Sequence, residues 1–139
     1  MAVVMDKDAL QVFLGDHFAQ VANQFTVEDV GEMTVTVRLI TAEQHLRPGG
    51  TVSGPSMFGL ADVSMYLAIL AMIGPKALAV TTNCSIDFMR KPVAGVDLIC
   101  VAHIHKLGRV LAVGDALIYS EGQAAPVARA GLTYSIPPK

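Results

Sequence analysis

Apolar residues fall at Leu10, Phe13, Leu14, Phe18 and Val21, a spacing of three and four that predicts an amphipathic helix within residues 6–23. The period then changes. Met33, Val35, Val37 and Leu39 alternate with Thr34, Thr36 and Arg38, which predicts a half-buried strand over 33–40. Residues 41–50 read as a loop with the turn sequence Pro48-Gly49-Gly50. After residue 75 strand follows strand. Val80, Thr82, Cys84, Ile86 and Phe88 alternate with Thr81, Asn83, Ser85 and Asp87, and 97–105, 109–120 and 125–136 are rich in Val, Ile, Leu and Tyr. The breaks at Lys91-Pro92 to Gly95, Leu107-Gly108 and Glu121-Gly122 are short, which favours an antiparallel meander.

Between the two strand regions, Pro55 to Ile73 is almost wholly apolar or small, with one charge. Ser53 or Gly54 suits the N-cap, Pro55 the first turn, and Gly74-Pro75 ends the run. A helix of this length measures about 28 Å, enough to cross a bilayer. Asp62 stands near its middle, where a carboxylate costs on the order of 3 kcal/mol in lipid. No Lys or Arg cluster flanks either end, and the strands are too few and too mixed for a membrane barrel. A helix apolar on every side is then one that protein surrounds.

Composition agrees with a protein that buries more than one subunit's core. The 139 residues make one domain, 53% of them hydrophobic, with mean hydropathy +0.50. Residues 1–139 are therefore read as a single α+β unit whose excess apolar surface meets copies of itself, with no membrane. A net charge of -2 and the absence of Trp leave neither a basic field nor stacking platforms, so nucleic acid is not an expected partner. Two cysteines, Cys84 and Cys100, lie in strand-like runs as small core hydrophobes. The opening MAVVMDKDAL lacks the apolar stretch of a signal peptide, and the expected location is the cytoplasm.

The charged residue of the apolar helix is the first candidate for chemistry. A carboxylate stripped of hydration favours general-base work near neutrality, and a helix N-terminus offers N–H groups to an oxyanion. Gly54 and Asp62 are separated by eight residues, about 12 Å along one helix, so one reacting carbon cannot touch both. They can cooperate only when a second subunit brings its helix start beside the first subunit's Asp62.

Three stretches carry a resemblance to a known family: HLRPGGTVSGPSMFGLADVSMY at 45–66, TTNCSIDFMRKP at 81–92, and KLGR at 106–109. Together they resemble the hotdog-fold acyl-CoA thioesterases related to the phenylacetate-pathway (PaaI-like) enzymes, over about residues 31–135. The family pattern has a His-Gly-Gly turn opening the central helix, an acid eight residues after the first glycine, and a Phe-x-Arg-Pro strand end. Asp62 and Gly54 match the acid and the glycine. Phe88-Met89-Arg90-Lys91-Pro92 matches the strand end with one residue inserted. Ser53-Gly54-Pro55 replaces His-Gly-Gly, and Arg47 stands where some members have Asn or Gln.

The resemblance implies an antiparallel sheet wrapped around the central helix, a homodimer or dimer of dimers, and hydrolysis of small, medium-chain or aryl acyl-CoA thioesters. It implies Asp62 and Gly54 as catalytic groups, with Arg47, Ser53 and Ser64 beside the substrate. Arg90, Lys91, Lys106 and Arg109 would form a basic group for the coenzyme A phosphates. No cofactor is expected. His103 and His105 share a strand face but lack a third ligand, so no metal is expected either. His17 needs no special role, and His45 lies close to the turn. The competing readings are an acyl-thioester hydratase or dehydratase, and a non-catalytic acyl-CoA binding module.

Overall fold

The computed structural model describes residues 2–138. The N-terminal helix α1 spans Lys7–His17, shorter than the periodicity implied, and the chain then turns through a 3-10 segment at Ala22–Gln24. Asp6 caps α1 by accepting from the Ala9 N–H at 2.9 Å, and Leu10, Phe13 and Leu14 form its buried stripe.

Six strands follow in one antiparallel sheet: β1 Phe25–Gly31, β2 Thr34–Leu39, β3 Val80–Phe88, β4 Leu98–Leu107, β5 Leu111–Ser120 and β6 Ala128–Ser135. Their order is β1-β2-β4-β5-β6-β3. The expected meander holds from β4 to β6. It fails at β3, which crosses the sheet and pairs with β6, Val80 opposite Ser135 and Phe88 opposite Ala128.

The central helix α2 spans Gly54–Ile73 and is buried along most of its length. Its local signals work as the sequence suggests. The Ser53 hydroxyl accepts from the Ser56 N–H at 3.3 Å, Pro55 sits in the first turn where its missing N–H costs no helical bond, and Gly74 (φ 93°) ends the run. By length and composition α2 could cross a membrane, but 72% of its most apolar window is buried inside the protein. The sheet curls around it. Val35, Val37 and Leu39 from β2, Leu98, Cys100 and Ala102 from β4, and Ile118 from β5 face inward at 1% exposure or less.

The two sheet edges differ. At β1 the Gln11 side chain donates to the Phe25 carbonyl at 3.0 Å and accepts from the Val27 N–H at 2.9 Å, so α1 covers part of that edge. The β3 edge has no such cover among the described residues, and Val80, Phe88 and Met89 are exposed along it.

Candidate active site

Asp62, the ninth residue of α2, lies in its third turn, half-buried beneath β3 and β6. The Thr81 hydroxyl donates to Asp62 Oδ1 at 2.5 Å, and the Tyr134 hydroxyl reaches the same oxygen at 2.6 Å. Tyr134 also lies 2.9 Å from the Asp62 carbonyl oxygen. Among the described residues no hydrogen bond reaches Oδ2. One carboxylate oxygen is thus held and the other is available.

Thr81 and Tyr134 face each other in the β3–β6 register. That pairing depends on a bulge. The register shifts between Thr81 and Asn83, so Thr81 turns inward with Cys84 and Ile86. Strict alternation would have grouped Thr82, not Thr81, with those residues. Burial, and then the neighbouring Asp62 charge, push the Tyr134 phenol far above its ordinary range, so it remains a donor. Burial and Asp62 likewise raise the Cys84 thiol. Cys100 is pushed up to about 12 by burial, which keeps it an unreactive core thiol.

Asp62 opens into a cavity of about 280 Å³ between α1, α2 and β6. Val63, Tyr66 and Tyr134 line it with His17 and Phe18 from the end of α1. The Tyr66 hydroxyl donates to the Ala77 carbonyl at 2.9 Å, fixing that ring. His17, for which the residue pattern suggested no special role, therefore shares a cavity with Asp62.

Gly54 begins α2, and no hydrogen bond engages its N–H among the described residues. A Cβ at this position would sit 3.2 Å from Phe88 Cζ, so glycine keeps the space between the helix start and the end of β3. Asp62 and Gly54 consequently lie under opposite ends of one strand, near Thr81 and near Phe88.

The other expected site residues have different surroundings. Ser53 is committed to the cap, and its hydroxyl also lies 3.0 Å from that of Ser56. Ser64 corrects the expectation of a substrate contact. It is wholly buried and donates to the Leu60 carbonyl at 2.7 Å, because its place on α2 faces the core. Arg47 is exposed in the loop before α2.

Arg90, Lys91, Lys106 and Arg109 are all exposed but do not form one group within a subunit. Arg90 reaches the Pro126 carbonyl at 2.7 Å, beside the start of β6 and the Gly54 end of the sheet. Lys106 and Arg109 flank the β4–β5 turn at the opposite end, the end of Asp62.

His45 is buried and structural. Its Nδ1 accepts from the Ala42 N–H at 2.9 Å and its Nε2 lies 2.9 Å from Gln24 Oε1. The His103 and His105 rings lie 5.1 Å apart on the outer face, with His105 paired to Asp115 at 3.1 Å. Among the described residues no cluster of three or more His, Cys, Asp or Glu could hold a metal ion.

A helix enclosed by a six-stranded antiparallel sheet, with a carboxylate facing a cavity on that helix, is the setting in which the sequence comparisons become decisive. The family model described as thioesterase superfamily matches residues 49–127, more than half of the chain. The chain belongs to the thioesterase superfamily. Its fold is the hotdog fold. A provisionally assigned thioesterase from Silicibacter sp. TM1040 is 57% identical, with a TM-score of 0.93 over 99% of this chain and 96% of that one. A mutant of the phenylacetic acid degradation protein PaaI from Thermus thermophilus is 26% identical, with a TM-score of 0.73 over 86% of this chain and 99% of that one.

A hypothetical thioesterase from Streptococcus pneumoniae, solved with coenzyme A, shares the fold at 19% identity and a TM-score of 0.76, over 91% and 98% of the two chains. No curated protein matches. Within the superfamily the chain is PaaI-like, and thioester hydrolysis is the activity that the family and its neighbours support. The matched stretch contains Gly54, Asp62 and Thr81. Phe18 and Tyr134 lie outside it.

Proposed function

We propose that the protein hydrolyses acyl-CoA thioesters with small, medium-chain or aryl acyl groups, in the cytoplasm, as a homodimer or a dimer of dimers with its active sites at the subunit seam. The observation that carries this reading is the Asp62 carboxylate, which lines a cavity while two hydroxyls hold its Oδ1 and leave Oδ2 without a hydrogen bond among the described residues. The coenzyme A moiety is supported by the pneumococcal neighbour solved with that ligand and by the basic residues at the strand ends.

The partner subunit is required by distance. About 12 Å of helix separates Gly54 from Asp62. The free edge of β3 supplies a means of closing that gap. Two β3 strands paired antiparallel about a two-fold near Cys84 and Ser85 set the Thr81 end of one against the Phe88 end of the other. Asp62 of one subunit then meets the Gly54 end of its partner. The same operation brings Lys106 and Arg109 of one subunit towards Arg90 and Lys91 of the other, reuniting the basic residues that a single subunit keeps apart.

In this arrangement the Gly54 N–H of one subunit holds the thioester oxygen as it gains charge. Asp62 Oδ2 of the other takes a proton from water, whose oxygen bonds to the acyl carbon. Collapse of the tetrahedral intermediate breaks the carbon–sulfur bond, and the proton passes to the departing thiolate. Direct attack by Oδ2 on the acyl carbon, expelling the coenzyme A thiolate to give an anhydride that water then opens with release of the proton the thiolate takes up, uses the same geometry.

A thiol-release screen over short, medium, long-chain and aryl CoA thioesters tests the reading. Asp62→Asn should keep the fold and lose roughly a hundredfold or more in turnover. Hydrolysis by that variant at the wild-type rate removes Asp62 from the mechanism. Because His17 shares the cavity with Asp62, and a histidine–acid pair is what hydration of an unsaturated thioester needs, the screen includes an enoyl-CoA. Hydration without hydrolysis would reassign the enzyme.

A further inference from the structure

We infer that Phe18, at the C-terminal end of α1, is the residue that sets how large an acyl group the enzyme accepts. This rests on the acyl-CoA reading above, since it takes the cavity beside Asp62 as the acyl pocket. The cavity, about 280 Å³, lies at the small end for ligand pockets, so removal of one wall changes what fits.

The choice of wall follows from what each lining group already does. Asp62 and Tyr134 are tied to one another through Oδ1. Val63 and Tyr66 are 7% and 9% exposed on the core helix, and trimming either would open the hydrophobic centre. Ala77 and Ala79 present little side chain to remove. His17 is exposed, its ring stacked on Phe13 at 4.5 Å. Phe18 alone among these is bulky, half-buried and attached outside α2 and the sheet.

Its backbone is also fixed. The Phe18 N–H donates to the Leu14 carbonyl at 2.9 Å, and the Phe18 carbonyl accepts from the N–H groups of Val21 and Ala22, each at 3.1 Å. The ring meets Tyr66 edge to face, with centroids 6.4 Å apart and planes at 82°. A side chain so held forms a wall at a set depth. A long chain has to displace the ring, and a short or single-ring acyl group does not.

The test compares wild type, Phe18→Ala and Phe18→Trp with butyryl-, octanoyl-, dodecanoyl- and phenylacetyl-CoA. Phe18→Ala should raise the ratio of kcat/KM for dodecanoyl- over butyryl-CoA by roughly tenfold or more. Phe18→Trp should lower it. Calorimetric binding of the matching non-hydrolysable S-alkyl-CoA thioethers reads the same wall without turnover. If the wild type binds the thioethers but hydrolyses no thioester, the thioesterase reading fails, and the shift in length preference between variants still tests the wall. Unchanged length profiles in both folded variants would overturn the inference.

Discussion

Asp62 has two chemically unequal oxygens, and that inequality comes from residues remote from it in sequence. Thr81 and Tyr134 both aim hydroxyls at Oδ1. Hydrogen bonds to a charged group are worth about 1.5 to 3 kcal/mol, and tenfold in rate corresponds to about 1.4. Tyr134→Phe should therefore lower kcat by roughly ten- to a hundredfold while KM stays near the wild-type value, as steady-state thiol release would read. A kcat unaffected by this change would mean that the phenol does not hold the carboxylate. The acid itself was legible in the sequence, because it is the one charge on an apolar helix. Its partners were not. Tyr134 lies 72 residues away, and Thr81 faces inward only because a bulge breaks the alternation that the residue types suggest.

Whole elements were legible where a repeating pattern met clear ends. The Ser53 cap, Pro55 and Gly74 delimit α2 as read, β2 follows its apolar alternation, and β4, β5 and β6 coincide with the three stretches rich in Val, Ile, Leu and Tyr. β1 escaped because Glu28 and Asp29 interrupt its apolar positions, and a bulge between Val27 and Asp29 shifts their phase. The placement of β3 escaped because pairing partners are set by tertiary packing and not by the length of the connecting turn.

The loop leading into α2 is held by His45, whose ring links Ala42 to Gln24 and whose carbonyl accepts from the Ser53 N–H at 2.8 Å. Burial depresses the His45 pKa below its ordinary 6.5. The unfolded chain then binds a proton there at a pH where the native chain resists it. The stability His45 contributes is complete above about pH 6.5 and is lost as pH falls towards its folded-state pKa. Urea midpoints measured on both sides of that value should fall more steeply with acid in wild type than in His45→Gln. Equal losses in the two proteins would remove His45 as the titrating group.

At the scale of the whole molecule the proposed site belongs to two chains. Gly54→Pro removes one N–H; proline is tolerated in the first turn and Ser53 (ψ 158°) already has the extended backbone that precedes it, while the far end of the Phe88 ring has to give way to the added Cβ. Alone, Asp62→Asn and Gly54→Pro should each be nearly inactive. Co-expressed in equal amounts, half of the dimers are mixed and each mixed dimer has one intact site, so about a quarter of wild-type activity should return. A site confined to one chain would recover nothing, and the mixture would stay as inactive as its parents.

The crossing of β3 to the far side of β6 has a consequence for biogenesis. A nascent chain emerges N-terminus first, so β3 is synthesised before the strand that must hold it. Until β6 arrives there is no platform to align the β3 edge for a mate, and no phenol to restrain the carboxylate. Under the proposed reading, assembly through β3 and the onset of hydrolysis are thereby timed by the same late event.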